Sequence, residues 1–189
     1  MLTDGAAVLY LRAAVPQDVI TLARWRREAA EWAQRVHGFN QWSTPFDEEE
    51  ALEWIAQGAT VMAAFSPGGE PVATRSVLAT GEPRLWTEEE RAVPARYLAK
   101  FNVDRRFTGL GIGDRLTDWA RRRAHRAGAE VVRINVWTEN TRLQAYHRRY
   151  GWRHVRTVPD NVAGALFEMP VLADEFDPNV REVEQIGLP

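Results

Sequence analysis

Residues 105–115 read RRFTGLGIGDR, with glycines at alternate positions, Gly109, Gly111 and Gly113, between an apolar stretch and an arginine-rich one. Upstream, ARYLAKFNV at 95–103 has the apolar content of a strand. Downstream, Leu116, Trp119, Ala120, Ala124 and Ala127 recur at helical spacing as far as Gly128, the buried stripe of a helix. A strand that feeds a helix through a turn bare of side chains is an anion cradle. The first N–H groups of the helix have no partner within it, and the aligned peptide dipoles place about half a positive charge at that end. Two familiar cradles do not match the letters. A P-loop needs Gly-Lys-Ser/Thr, but Asp114 and Arg115 follow Gly113. A dinucleotide fingerprint needs a third glycine where Asp114 stands, and an acid at the end of the next strand, whereas Glu130 precedes that strand.

Working outward, residues 8–12 read as a first strand. Val15, Val19, Leu22, Trp25, Ala29, Trp32 and Val36 then mark an amphipathic helix ending near Gly38. After a loop, Asp47 and Glu50 have capping-box spacing, and a second helix continues through Leu52, Trp54 and Ile55 to Gly58. Residues 59–65 and 71–79, joined by SPGGE, predict a hairpin. The polar connection 81–94, with Glu88, Glu89 and Glu90, reads as a loop with at most one helical turn. Residues 131–137 predict a strand, 139–150 a helix stopped by Gly151, and 152–158 and 165–171 two more strands. Residues 174–189 carry five acids and one arginine. The expected organisation is one domain over 1–173 and an acidic surface tail over 174–189, without internal repeats.

Composition narrows the function. With 189 residues, 45% hydrophobic and 26% charged, the chain suits one globular domain. It has no cysteine, which excludes disulfides, thiolate metal sites and a cysteine nucleophile. The N-terminus lacks a basic leader, and no run of about 18 apolar residues occurs, so the expectation is a soluble, cytoplasmic protein without membrane contact. Net charge is −2, yet the segment 96–126 holds eight arginines and Lys100, the one lysine, against three aspartates, enough to hold a polyanion. Nucleic acid is not the expected partner, because the arginine-rich helix's only aromatic, Trp119, falls on its buried stripe. No histidine pair has ligand spacing with a carboxylate, so no metal is expected.

With TGLGIG leading into an amphipathic helix, residues 103–113 resemble the pyrophosphate-binding motif of the Gcn5-related N-acetyltransferases (GNAT), Gln/Arg-x-x-Gly-x-Gly/Ala. NTRLQAYHRRYGW, residues 140–152, resembles the same family's later motif, an Asn followed by a helix and Gly-Phe, with a Tyr four residues before the Gly. There are two departures. With Gly111 and Gly113 as the family pair, Thr108 stands at the Gln/Arg position, although Arg106 with Gly109 and Gly111 matches in a shifted register. Four residues before Gly151 stands His147, with Tyr146 one place earlier, which is about 100° of helical rotation.

The resemblance implies a single α/β (α+β) GNAT-like domain: a mixed central sheet of about six to seven strands, a splayed strand pair and helices on both faces. It implies an acetyl-CoA-dependent N-acetyltransferase acting by direct attack of an amine in a ternary complex. Pantetheine would lie along Phe101, Asn102 and Val103. The pyrophosphate would sit on Gly109, Leu110, Gly111, Ile112 and Gly113, with the Thr108 hydroxyl and the charge of Arg105 or Arg106. Asn140 would complete the cofactor contacts. An N–H near Val103 would steady the oxyanion, and His147 or Tyr146 would protonate the departing thiolate. The general base is open, Glu88, Glu89 and Glu90 being candidates that equally suit a solvated loop. The acceptor is a small-molecule or protein amine, and a homodimer is among the expected states. The competing reading is an acyl-CoA-binding regulator that has lost turnover. Trp25 and Trp32 pack the core or wall the acceptor pocket; Trp42, Trp86 and Trp137 line a pocket or anchor loops.

Overall fold

The structure is a computed structural model describing residues 7–38, 44–173 and 177–183. It comprises two compact units, one of residues 1–76, 100–119 and 176–189, the other of residues 77–99 and 120–175. Strand β4 (Ala95–Val103) and helix α4 (Ile112–Arg126) contribute residues to both.

In the first unit, β1 (Leu9–Ala13) pairs antiparallel with β2 (Thr60–Ala64), and β2 antiparallel with β3 (Ala73–Leu78). The expected hairpin forms, with Thr60 opposite Ser76 and Ala63 opposite Ala73. Every residue of β2 is buried, so its polar groups pair internally: the Thr60 and Ser76 hydroxyls lie 2.8 Å apart and the Thr74 hydroxyl donates to the Val61 carbonyl. Helix α1 (Val19–His37) begins later than its stripe suggested, after a single 3-10 turn at Pro16–Asp18, and ends on Gly38, whose φ of 68° is the left-handed stop. Its buried Val19, Leu22 and Trp25 pack with Ala51 and Ile55 of α2 (Glu48–Ala56) and Met62 of β2. A buried aliphatic or aromatic side chain of this size contributes about 1.5–3 kcal/mol. Val36, at the far end of the stripe, is exposed.

Within the stretch read as an acidic surface tail, Val180–Glu182 forms a further strand, β8, parallel to β1; residues 174–176 and 184–189 lie outside the described residues. The described strands therefore number eight, one more than the upper end of the about six to seven expected. Sequence patterning misses β8 because three residues carry too little alternation to register.

In the second unit, β7 (Ala165–Pro170) lies between β6 (Arg153–Thr157) and β5 (Val131–Val136), antiparallel to both. The ladder between β4 and β5 is parallel and stops after Tyr97 opposite Arg133, although both strands continue. That early stop is the parting of strands implied by the resemblance. Helix α3 (Glu88–Ala92) is the short turn expected in the acidic connection, opened by a complete capping box between Thr87 and Glu90. Helix α5 (Thr141–Arg149) follows β5.

Candidate active site

Beyond Ala99, β4 bends at Lys100, whose φ of 46° makes it the one non-glycine described residue in the left-handed region. Such a conformation costs about 1–3 kcal/mol and persists where the surroundings enforce it. Here they do. The Lys100 ammonium lies 2.6 Å from Glu50 Oε2, 4.9 Å from the centre of the Trp54 ring and 5.5 Å from that of Phe46. The capping box expected at α2 is thus half made. The Asp47 carboxylate accepts from Glu50 N at 2.9 Å, while the Glu50 carboxylate turns to Lys100. Sequence reading placed no carboxylate at β4; α2 delivers one there, and the only signal was an acidic helix start, which capping alone explains.

Residues Phe101, Asn102 and Val103 complete β4. Asn102 donates through its side-chain amide to the Trp25 carbonyl at 3.1 Å. Asp104, buried, then closes the strand. Its carboxylate accepts from Arg106 N at 3.0 Å, from the Arg106 guanidinium at 2.8 Å and from the Trp25 indole at 3.3 Å. Those bonds, Arg106 first, hold the Asp104 carboxyl below its ordinary range against the opposing cost of burial. Trp25 is therefore core with a polar duty and lines no open pocket.

Of the two candidate cations, Arg106 is committed to Asp104 and to Glu70 at 2.7 Å, which raises its pKa still further. Arg105 stacks its guanidinium on Trp32, 4.0 Å from the ring centre. The Thr108 hydroxyl donates to the Arg105 carbonyl and closes a 3-10 turn at Arg105–Phe107.

The glycines serve two different ends. Gly109 and Gly111 have φ of 86° and 66°, and a methyl placed on either would meet nothing within 4 Å. They set the left-handed turn, and the space over them is open. Gly113 already lies in α4, where a Cβ would come within 3.1 Å of the Phe101 ring. Leu110 is exposed and Ile112 is buried, anchoring the helix start. The arrangement offers N–H groups of an opening helix to an approaching anion, which is what a diphosphate requires.

In the second unit, Asn140 is the N-cap of α5: its side-chain oxygen accepts from Leu143 N at 2.9 Å, a structural duty beside the cofactor role the resemblance implied. The rotation between Tyr146 and His147 gives them different surroundings, although their rings meet edge to face with centres 5.5 Å apart. Tyr146 is 47% exposed and stacks on Tyr150, centres 4.5 Å apart. His147 is half-buried, its ring 6.0 Å from both Trp152 and the fully buried Phe167. Glu90 is bound twice over by Arg156, at 2.9 Å through each oxygen, which holds its carboxyl below the ordinary range. Its carboxylate also caps α3 by accepting from Thr87 N. Trp86 is buried and donates to Asn135 Oδ1 at 2.9 Å, so it anchors a loop, whereas Trp42 lies outside the described residues. No group of metal-ligating side chains occurs among the described residues, nor is any helix there long and apolar enough to cross a membrane.

Residues 22–152 match the model of the acetyltransferase (GNAT) family, and the chain belongs to that family of acyltransferases. Over 181 residues it is 27% identical to YesJ, an uncharacterized N-acetyltransferase of Bacillus subtilis (strain 168), covering 92% of this chain and 94% of that one. A GNAT-family acetyltransferase of Listeria monocytogenes 4b F2365 superimposes with a TM-score of 0.73 at 20% identity, over 90% of this chain and 99% of the other. The PaiA N-acetyltransferase of Thermoplasma acidophilum, solved in complex with coenzyme A, gives a TM-score of 0.64 at 14% identity, over 86% and 98%. The mixed α/β fold is that of the family.

Proposed function

We propose that this protein moves the acetyl group of acetyl-CoA to a primary amine by direct attack in a ternary complex. The observation that carries the reading is the turn at Gly109 and Gly111, left-handed and open above, at the start of α4. Its amides receive the pyrophosphate, with the β4 backbone at Phe101, Asn102 and Val103 beside the pantetheine. Acetyl-CoA supplies the activated acyl group. The chain supplies orientation and proton handling. Glu50, brought to the bend of β4, is the carboxylate that faces an acceptor ammonium. His147 is the general acid for the thiolate, because Tyr146 turns outward onto Tyr150.

The test is release of free coenzyme A, read with a thiol reagent, across a panel of small amines and peptide N-termini. We expect turnover on at least one class of amine. His147→Phe is expected to lower kcat about 100-fold while leaving acetyl-CoA affinity nearly unchanged, and Tyr146→Phe to alter kcat less than about threefold. Acetyl-CoA binding without release on any amine assigns the chain to acyl-CoA sensing instead, and wild-type turnover in both variants removes His147 from the chemistry.

A further inference from the structure

Arg75 stands in the middle of β3, opposite Val61 of β2, and is only 5% exposed. Its Nε is buried without an acceptor, and no carboxylate among the described residues pairs with its guanidinium. The close partner it does have is the ring of Phe101, with Cζ 4.9 Å from the ring centre. Phe101 in turn is the ring that a side chain on Gly113 would strike at 3.1 Å. Guanidinium, ring and second residue of α4 thus form a continuous stack from the sheet to the glycine turn.

Loss of solvent draws the Arg75 pKa down to about 9, which leaves it cationic at neutral pH. A buried cation without a counter-charge is unfavourable, and a ring face compensates only part of the lost hydration. The other arginines near the turn are differently placed: Arg106 is neutralised by Asp104 and Glu70, Arg105 lies on Trp32 at the surface, and the Arg115 guanidinium donates to the Ala7 and Asn179 carbonyls.

We propose that Arg75 is a positioning residue for a diphosphate-bearing ligand on residues 109–113. Its charge, answered by no carboxylate among the described residues, is complemented when the anion arrives, and its guanidinium holds the Phe101 ring under Gly113 so that the first turn of α4 keeps its amides aimed at the ligand. The inference rests on the reading of that turn as the acetyl-CoA site.

Tryptophan-fluorescence titration of the full chain with acetyl-CoA and with S-acetylpantetheine, which has the thioester arm and no diphosphate, separates the possibilities. Arg75→Met is expected to weaken acetyl-CoA binding about tenfold or more and S-acetylpantetheine binding less than about twofold. Arg75→Lys, which keeps the charge, is expected to recover most of the loss. The ligand-free Arg75→Met protein is expected to melt no lower than wild type, since an uncompensated buried charge has been replaced by an apolar chain. If Arg75→Met does not fold, Arg75→Lys against Arg75→Gln carries the same comparison. Wild-type binding of acetyl-CoA by Arg75→Met, equal weakening of both ligands, or a lysine variant no better than methionine overturns the inference while leaving the site reading in place. A wild-type chain that binds no acetyl-CoA overturns both.

Discussion

Asp104 joins three parts of the first unit through one carboxylate: the end of β4, the Arg106 backbone and guanidinium, and the indole of Trp25 in α1. Because its folded pKa lies below the unfolded value of about 3.9, its contribution is fully present above that pH and is lost as pH falls through the folded value. Glu90, tied to Arg156 in the second unit, acts in the same direction. Asp104→Asn is therefore expected to destabilise by about 1–3 kcal/mol at neutral pH. It should also lose less stability than wild type on going from pH 7 to pH 3. Thermal melts at both pH values check this, and an unchanged acid limb would remove Asp104 from the account. At this scale the sequence was informative about type and silent about partner. Arg105 and Arg106 were both legible as cations near the cradle, yet their charges are directed to Trp32 and to Asp104 and Glu70. Partner choice follows from which side chains fold within reach, and spacing along the chain does not encode it.

The β4-to-α4 turn shows the same division for an element. Alternating glycines announced a bare backbone, and the bare backbone is there. The reasons differ by position, and substitution separates them. Gly109→Ala and Gly111→Ala place a Cβ in open space but in the left-handed region, with an expected cost of about 1–2 kcal/mol each. Gly113→Ala has a helical backbone, where alanine is favoured by about 1 kcal/mol, but its Cβ must displace the Phe101 ring. Denaturant unfolding is expected to show clear destabilisation for the first two and little for the third. Acetyl-CoA affinity is expected to fall for Gly113→Ala through Phe101. Helix starts were equally legible in part. Asp47 caps α2 as its spacing predicts, and the reciprocal half is lost because Glu50 finds a stronger partner, the Lys100 ammonium, at 2.6 Å. The complete box lies instead at Thr87 and Glu90, in a connection read as mostly loop.

For the molecule as a whole, β8 is the main structural addition to the fold read from patterning. Its pairing with β1 is supported by Val183 N donating to the Leu11 carbonyl, by the Arg115 guanidinium on the Asn179 carbonyl at 2.5 Å and by the Trp119 indole on Glu182 at 2.7 Å. Truncation after residue 173 would leave β1, with fully buried Leu9 and Leu11, unpaired along one side. The expected result is a melting temperature lower by on the order of 5 °C and a greater tendency to associate through the exposed strand edge. Melting curves and light scattering measure both. An unaltered melt and a monodisperse sample would show that β8 is dispensable.

The order of the strands and helices before β8, the bare glycine turn and the family were determined by the sequence alone. Helical and strand periodicity, caps and the conformational freedom of glycine act over a few neighbouring residues. Only the tertiary structure decided where each charge is answered: Glu50 by Lys100, Asp104 by Arg106, Arg75 by no protein carboxylate among the described residues. It also decided that a three-residue segment near the C-terminus becomes a strand. These outcomes depend on groups that meet across scores of intervening residues, and on burial, which strengthens or strands a charge according to what else has been brought beside it.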